Sequence, residues 1–246
     1  MDNAIYVGLS RQMILERELD ITANNLSNVA TVGFKFESMI SNDDPVTMPT
    51  LGQPPTPVNF VAGVGVARDF TQGSLTQTGA AFDAAIDGRG FFQINTPDGP
   101  RYTRDGRFRM DASGALVNQD GDPVDGGGGG IVLDPKKGPV TISPNGVVSQ
   151  SGESHGKIAV YNFDSLAALS KDGNNQYRND SNLTPTAAPN AQVRQGFLEQ
   201  SNVEPIRQIT RLIEINRAYD AIASMMSTTE DLSNASIQRL GAVNPS

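Results

Sequence analysis

The sequence predicts an α+β fold in which N- and C-terminal helices bracket an all-β central domain, joined to it by extended connectors. Two observations predict it. Apolar residues recur at helical spacing only near the two ends of the 246 residues, and the interior is cut by turn dipeptides about every eight residues. A third, the five prolines between residues 41 and 63, separates the first helix from the β-patterned middle.

Near the start, Leu15, Leu19, Ala23, Leu26 and Ala30 follow spacings of four, four, three and four, which aligns them on one stripe of a helix reaching about residue 32. Gly33 then serves as its stop, because glycine tolerates the left-handed conformation just past a helix end. Near the finish, Leu212, Ile215, Tyr219, Ile222, Met226 and Thr229 alternate spacings of three and four, a heptad rhythm. Pro205 suits a first helical turn, where a missing N–H costs little. A pattern running from Pro205 towards Leu240 is longer than globular helices need, and such length predicts a partner helix. The two terminal helices are natural partners for each other, pairing as a coiled coil. The expected divisions are a helical segment 1–40, an extended Pro-rich connector 41–70, a β-rich domain 71–200 and a helical segment 201–246.

Within the β-rich domain, Asp98-Gly99, Asp105-Gly106, Ser113-Gly114, Asp120-Gly121, Asn145-Gly146 and Ser151-Gly152 separate stretches such as GFFQIN, GIVL and GKIAVYNF, and so predict hairpins. The run Gly126 to Gly130 reads as a flexible loop, since no Lys-Ser/Thr follows to make it a phosphate cradle.

Composition limits the chemistry. A formal charge of −8 and a pI near 4.6 repel phosphate backbones and anionic headgroups, so neither nucleic acid nor a membrane surface is an expected partner. No apolar run reaches the roughly 20 residues of a spanning helix, so no membrane insertion is expected. The first residues lack the basic and apolar regions of a cleaved signal. There is no cysteine, which excludes disulfides and thiolate metal sites. His155 is the single histidine and sits in a Gly/Ser turn, without a nucleophile elbow. Asn118, Asp120, Asp122 and Asp125 miss the calcium-loop pattern, with Pro123 in the glycine slot. Asp83, Asp87, Asp105 and Asp111 are placed as turns place carboxylates, leaving a peptidoglycan hydrolase as a remote alternative. Arg101, Arg104, Arg107 and Arg109 read as a solvated strand face or an intersubunit salt-bridge strip. No catalytic, cofactor or metal site is expected.

Three strings carry a family likeness. ANNLSNVATVGFK at residues 23–35, SNVEP with LIEINRAYDA at residues 201–205 and 212–221, and GRGFFQINTPDGPRYTRDGRFRMDASGALVNQDGDPV at residues 88–124 resemble, in order, the signatures of flagellar rod and hook axial proteins. Asn216, Asp220 and Ile222 depart from the residues more usual at their places. The opening MDNAIYVGLSRQ and the short length are most similar to a proximal-rod member; a distal-rod or hook subunit is the nearer alternative. The resemblance implies a non-enzymatic subunit of the basal-body rod in the periplasm, exported unfolded by the flagellar type III apparatus without a cleaved signal. Its partners would be copies of itself and other rod proteins. The axial helices would carry the assembly interface: Leu19, Ala23, Asn25, Leu26, Asn28, Gly33 and Phe34 from the first, with Leu212, Ile215, Arg217, Tyr219, Ile222 and Met226 from the second. Asn25, Asn28 and Arg217 would set register.

Overall fold

The computed structural model describes residues 2–46, 58–181, 183–188 and 191–241. These form two compact units. One comprises residues 1–27, 37–68 and 204–246; the other comprises residues 28–36 and 69–203.

The first unit contains both long helices. Helix α1 spans Asp2–Ser27 and α2 spans Pro205–Gly241, starting at the proline that suits a first turn. The described part of the 41–70 stretch is more regular than a simple connector. Strand β1, Glu37–Val46, pairs antiparallel with β2, Val58–Arg68, and the register shifts between Asn42 and Asp43. The centre of the Pro-rich run, residues 47–57, lies outside the described residues. Glu37 stands opposite Arg68 at the base of this ribbon, and their side chains form an ion pair at 2.9 Å.

The second unit is β-rich. Its main sheet has six antiparallel strands in the order Leu169–Lys171, Gln176–Asn179, Gly99–Thr103, Phe91–Thr96, Val160–Asn162, Thr186–Ala187. Phe91 and Phe92 are adjacent on a central strand and therefore point to opposite faces, and both are buried, so the sheet is covered on both sides. Phe92 joins Ile86, Ile94, Phe108, Leu116 and Val148 in the larger core, meeting Phe108 edge-on at 5.1 Å between ring centres. Phe91 belongs to an aromatic cluster with Tyr102, Phe163 and Tyr177, in which Tyr102 and Phe163 pack edge-on at 4.7 Å.

Asp98-Gly99, Ser113-Gly114, Asn145-Gly146 and Ser151-Gly152 each turn between paired strands. Asp105-Gly106 does not. It lies in the loop after the Gly99–Thr103 strand, where the Gly106 carbonyl accepts from the backbone of Ala84. Truncating Phe92 to alanine opens a cavity in the larger core, and urea unfolding of the full chain should show a loss of about 3–5 kcal/mol.

Candidate assembly interface

Helices α1 and α2 run antiparallel within their unit. Gly8 lies against Met226 and Ile222, while Glu18, further along α1, is paired with Arg211, near the start of α2. A Cβ on Gly8 would stand 3.0 Å from Cγ and Sδ of Met226, so the missing side chain permits the close approach. The Arg211 Nε donates to Glu18 at 2.7 Å, and this partly exposed pair contributes less than about 1 kcal/mol. The seam is therefore held by apolar packing.

On α2, Gln208 and Ile215 are buried and Leu212, Ala218, Ile222, Met226 and Thr229 half-buried, a run at spacings of three and four. Tyr219 departs from that run. It is 40% exposed, and Ala218 takes the inner place beside it. Arg217 is exposed. On α1, Leu15 is buried, and Leu19, Ala23 and Leu26 are half-buried.

The Asn25 amide is used inside the chain. It is almost fully buried, its Nδ2 donates to the Glu37 carbonyl at 2.7 Å, and its Oδ1 accepts from the Glu37 N–H at 2.9 Å. One side chain thereby satisfies both backbone groups of the first β1 residue. Asn28 accepts from the Thr31 hydroxyl at 3.0 Å.

Helix α1 ends at Ser27, so Ala30 lies beyond it and Gly33 is not its stop. Residues 28–36 belong instead to the β-rich unit. Gly33 has φ +69°, its N–H donates to the Glu199 carbonyl at 2.7 Å, and a Cβ there would come within 2.5 Å of the Arg104 carbonyl carbon. Phe34 is buried, with the Lys171 ammonium 4.6 Å from its ring centre.

Around this segment lies a buried ionic cluster that the sequence pattern does not reveal. Lys35 Nζ donates to Glu199 Oε1 at 2.5 Å and to the Thr71 carbonyl at 2.7 Å. Arg104 reaches Glu199 Oε2 at 2.9 Å and the Gly88 carbonyl at 2.8 Å. The Gly73 N–H completes the carboxylate's partners at 3.0 Å. Neither Lys35 nor Glu199 exposes any of its side chain. Burial pulls the Lys35 amine below the usual lysine range, and Glu199 opposes that shift. Asn202 adds a polar clasp, accepting from the Phe36 N–H at 2.7 Å and donating to the Asp69 carbonyl at 2.9 Å.

The arginine strip expected on a solvated face is divided. Arg101 is buried and reaches the exposed Asp172 at 2.5 Å, and Arg104 enters the cluster above through the buried Glu199. Arg107 and Arg109 are exposed. The other carboxylates serve local structure. Asp111 accepts from Ser113 and Ala115, Asp87 pairs with Arg194, and Asn118 Oδ1 accepts from the N–H groups of Asp120 and Asp122. His155 Nδ1 lies 2.9 Å from the Val132 carbonyl. Among the described residues, no grouping of His, Cys, Asp and Glu could hold a metal ion, and no helix is long and apolar enough to cross a membrane.

Three family descriptions match, all of flagellar axial proteins. They are the flagella basal body rod protein over residues 5–35, the flagellar hook protein FlgE/F/G D1 domain over 85–150 and the flagellar basal body rod FlgEFG protein C-terminal region over 194–239. The chain belongs to the flagellar basal-body rod protein family. It is 50% identical to the flagellar basal-body rod protein FlgF of Caulobacter vibrioides, over 99% of this chain and all of that one. It is 38% identical to FlgF of Mesorhizobium japonicum, over 98% of this chain and 99% of that one. The basal-body rod protein FlgG of Bacillus subtilis is 31% identical, with 94% of this chain and 97% of that one covered.

Replacing Glu199 by alanine leaves two buried cations without their counterion, and chemical denaturation should show a loss of about 3–5 kcal/mol. A second outcome concerns Tyr161, whose hydroxyl donates to Asp125 at 2.8 Å. Burial, then the Asp125 carboxylate, push its pKa up to about 12. The unfolded value is near 10. The folded protein thus favours the neutral phenol, a contribution complete below pH 10 and lost as pH rises through 12. Urea midpoints measured from pH 9 to 12 should fall more steeply for the unsubstituted chain than for Tyr161→Phe.

Proposed function

We propose that this chain is a structural subunit of the proximal part of the flagellar basal-body rod, with no catalytic step, assembling through its terminal helices with copies of itself and with other rod proteins. Family membership supports the rod, and the FlgF relative over the full length supports the proximal position. The observation that carries the mechanism is the helix pair itself. Its inner seam is apolar, yet Tyr6, Met13, Ile206, Tyr219 and Leu232 remain exposed on it.

The α1–α2 seam works as a coiled coil, with Leu19, Ala23 and Leu26 on one side and Leu212, Ile215, Ile222 and Met226 on the other. Isolated helices are marginal in water, so burial of the outward apolar faces in the polymer, at about 25 cal/mol per Å², stabilises the pair. Tyr219 and Arg217 face neighbouring subunits, and Arg217 sets register there. Gly33, Phe34, Asn25 and Asn28 hold the segment after α1 in place and act on assembly indirectly. In domain terms, residues 1–40 and 201–246 supply the axial helices, 41–70 the connection and 71–200 the β domain. The rod lies in the periplasm and the chain reaches it unfolded through the type III export apparatus, a route consistent with the absence of cysteine.

A charge at Tyr219 tests the assembly face. Because the ring is partly exposed, Tyr219→Asp should shift stability by less than about 0.5 kcal/mol, and circular dichroism melting should be unchanged. Cells carrying only that variant should not spread in soft agar; normal spreading would sink the assignment of this face.

A further inference from the structure

The sequence holds one Asn-Gly step, Asn145-Gly146, and glycine is the follower that least hinders attack of the backbone on an asparagine amide. Asn145 is exposed in the turn between strands Val140–Ile142 and Val147–Gln150. In an open chain the Gly146 backbone nitrogen attacks the Asn145 Cγ, ammonia leaves, and a five-membered succinimide forms. Water then opens the ring at either carbonyl. One product is aspartate; the other is isoaspartate, in which the backbone runs through Cβ and is one atom longer.

The fold keeps the two reacting atoms apart. The Gly146 N–H donates to the Ser143 carbonyl at 2.8 Å, closing a β-turn with Pro144 and Asn145 at its centre. The common hydrogen-bonded turns, types I and II, set ψ of the third residue at about 0°. That angle carries the Gly146 nitrogen towards the Asn145 nitrogen and away from its Cβ. The amide itself is tethered, because Ser143 Oγ donates to Asn145 Oδ1 at 2.5 Å. Gly146 has little room to shift. It is buried with φ +85°, a Cβ on it would stand 2.6 Å from the Ile158 carbonyl oxygen, and its own carbonyl accepts from the Ile158 N–H at 2.8 Å. The Pro144 carbonyl accepts from the Val193 N–H, also at 2.8 Å. Beneath the turn, Ile142, Val148, Ile158 and Val193 belong to the larger core.

We propose that Asn145-Gly146 is a fold-gated deamidation site, closed in the folded chain and reactive whenever this turn is open. Residue 145 then records the time a chain spends unfolded. The change is not neutral to folding. Isoaspartate lengthens the backbone inside a turn that is bonded to Ile158 and Val193, so the altered chain cannot restore all of those bonds at once. A chain altered before it folds is thereby marked against folding. The inference stands apart from the rod reading, since it concerns the chemistry of this one turn.

The test is to hold the full chain at mildly alkaline pH with and without denaturing urea, following the peptide that contains residue 145 by mass spectrometry. Deamidation adds about one dalton. Reaction through an open state scales with the population of that state, so the folded chain should react at least about tenfold more slowly than the unfolded one. Equal rates overturn the gating. Pro144→Gly releases the backbone of the turn's second residue, and should raise the folded-state rate severalfold while leaving the rate in urea unchanged. A folded-state rate that does not move overturns this turn as the gate. Finally, chain aged in urea is returned to native buffer, and its folded and unfolded fractions are assayed for isoaspartate by methyltransferase labelling. Isoaspartate should be depleted from the folded fraction; equal content in both overturns the mark against folding.

Discussion

A carboxylate with no access to water must find its charged and hydrogen-bonding partners inside the fold, and the β-rich unit is arranged around one that does. Glu199 receives Lys35, Arg104 and the Gly73 amide, and its own carbonyl receives Gly33. These partners come from separate stretches of chain. A single buried anion therefore fixes the place of residues 33–35, 73 and 104 relative to strand Phe197–Glu199. Asn202 does the same a turn further on with neutral groups, holding Phe36, Asp69 and Thr71. Buried ion clusters contribute little net stability compared with apolar packing, but they tolerate few alternative arrangements. The cluster specifies where the ends of the unit's two segments lie.

The helical unit follows a different logic. Its seam is apolar and narrow, narrowed further by Gly8, and the polar links among its described residues include Glu18 with Arg211 between the helices and Glu37 with Asn25 and Arg68 at the ribbon. Among the described residues of that unit, nothing resembles the two-sided aromatic packing around Phe91 and Phe92. Large apolar side chains such as Tyr6, Met13 and Ile206 stay exposed on the helix pair, so it keeps apolar surface that its own chain does not bury.

Periodicity made part of this legible. The rhythm through Leu212, Ile215, Ile222 and Met226 and the proline at 205 located α2 closely, because a long regular helix writes its spacing into the sequence. Tyr219 satisfied the same arithmetic yet lies off the inner line, since spacings of three and four admit either it or Ala218. The stripe through Ala30 overran α1 because Val32, Phe34 and Lys35 are claimed by the β-rich unit, and tertiary packing outweighs local pattern there. Prolines near residue 45 suggested a plain connector where β1 and β2 pair, as proline is tolerated on a two-stranded edge. The arginine strip misled because exposure is not a local property. Lys35 and Glu199 lie 164 residues apart, and only the apolar residues flanking each, Phe34 and Phe36 or Leu198, hinted that either charge was interior.

That separation also has a kinetic side. The bonds from Glu199 and Asn202 back to residues 33–36 close a loop spanning most of the chain, and contacts so distant in sequence form late because the entropy of closure precedes any return. Hairpins such as 91–103 or 147–157 close over short stretches and need no distant partner. The first and last β segments of the β unit, Leu75–Gln77 and Phe197–Glu199, pair with each other, so the unit closes only once nearly the whole length is present.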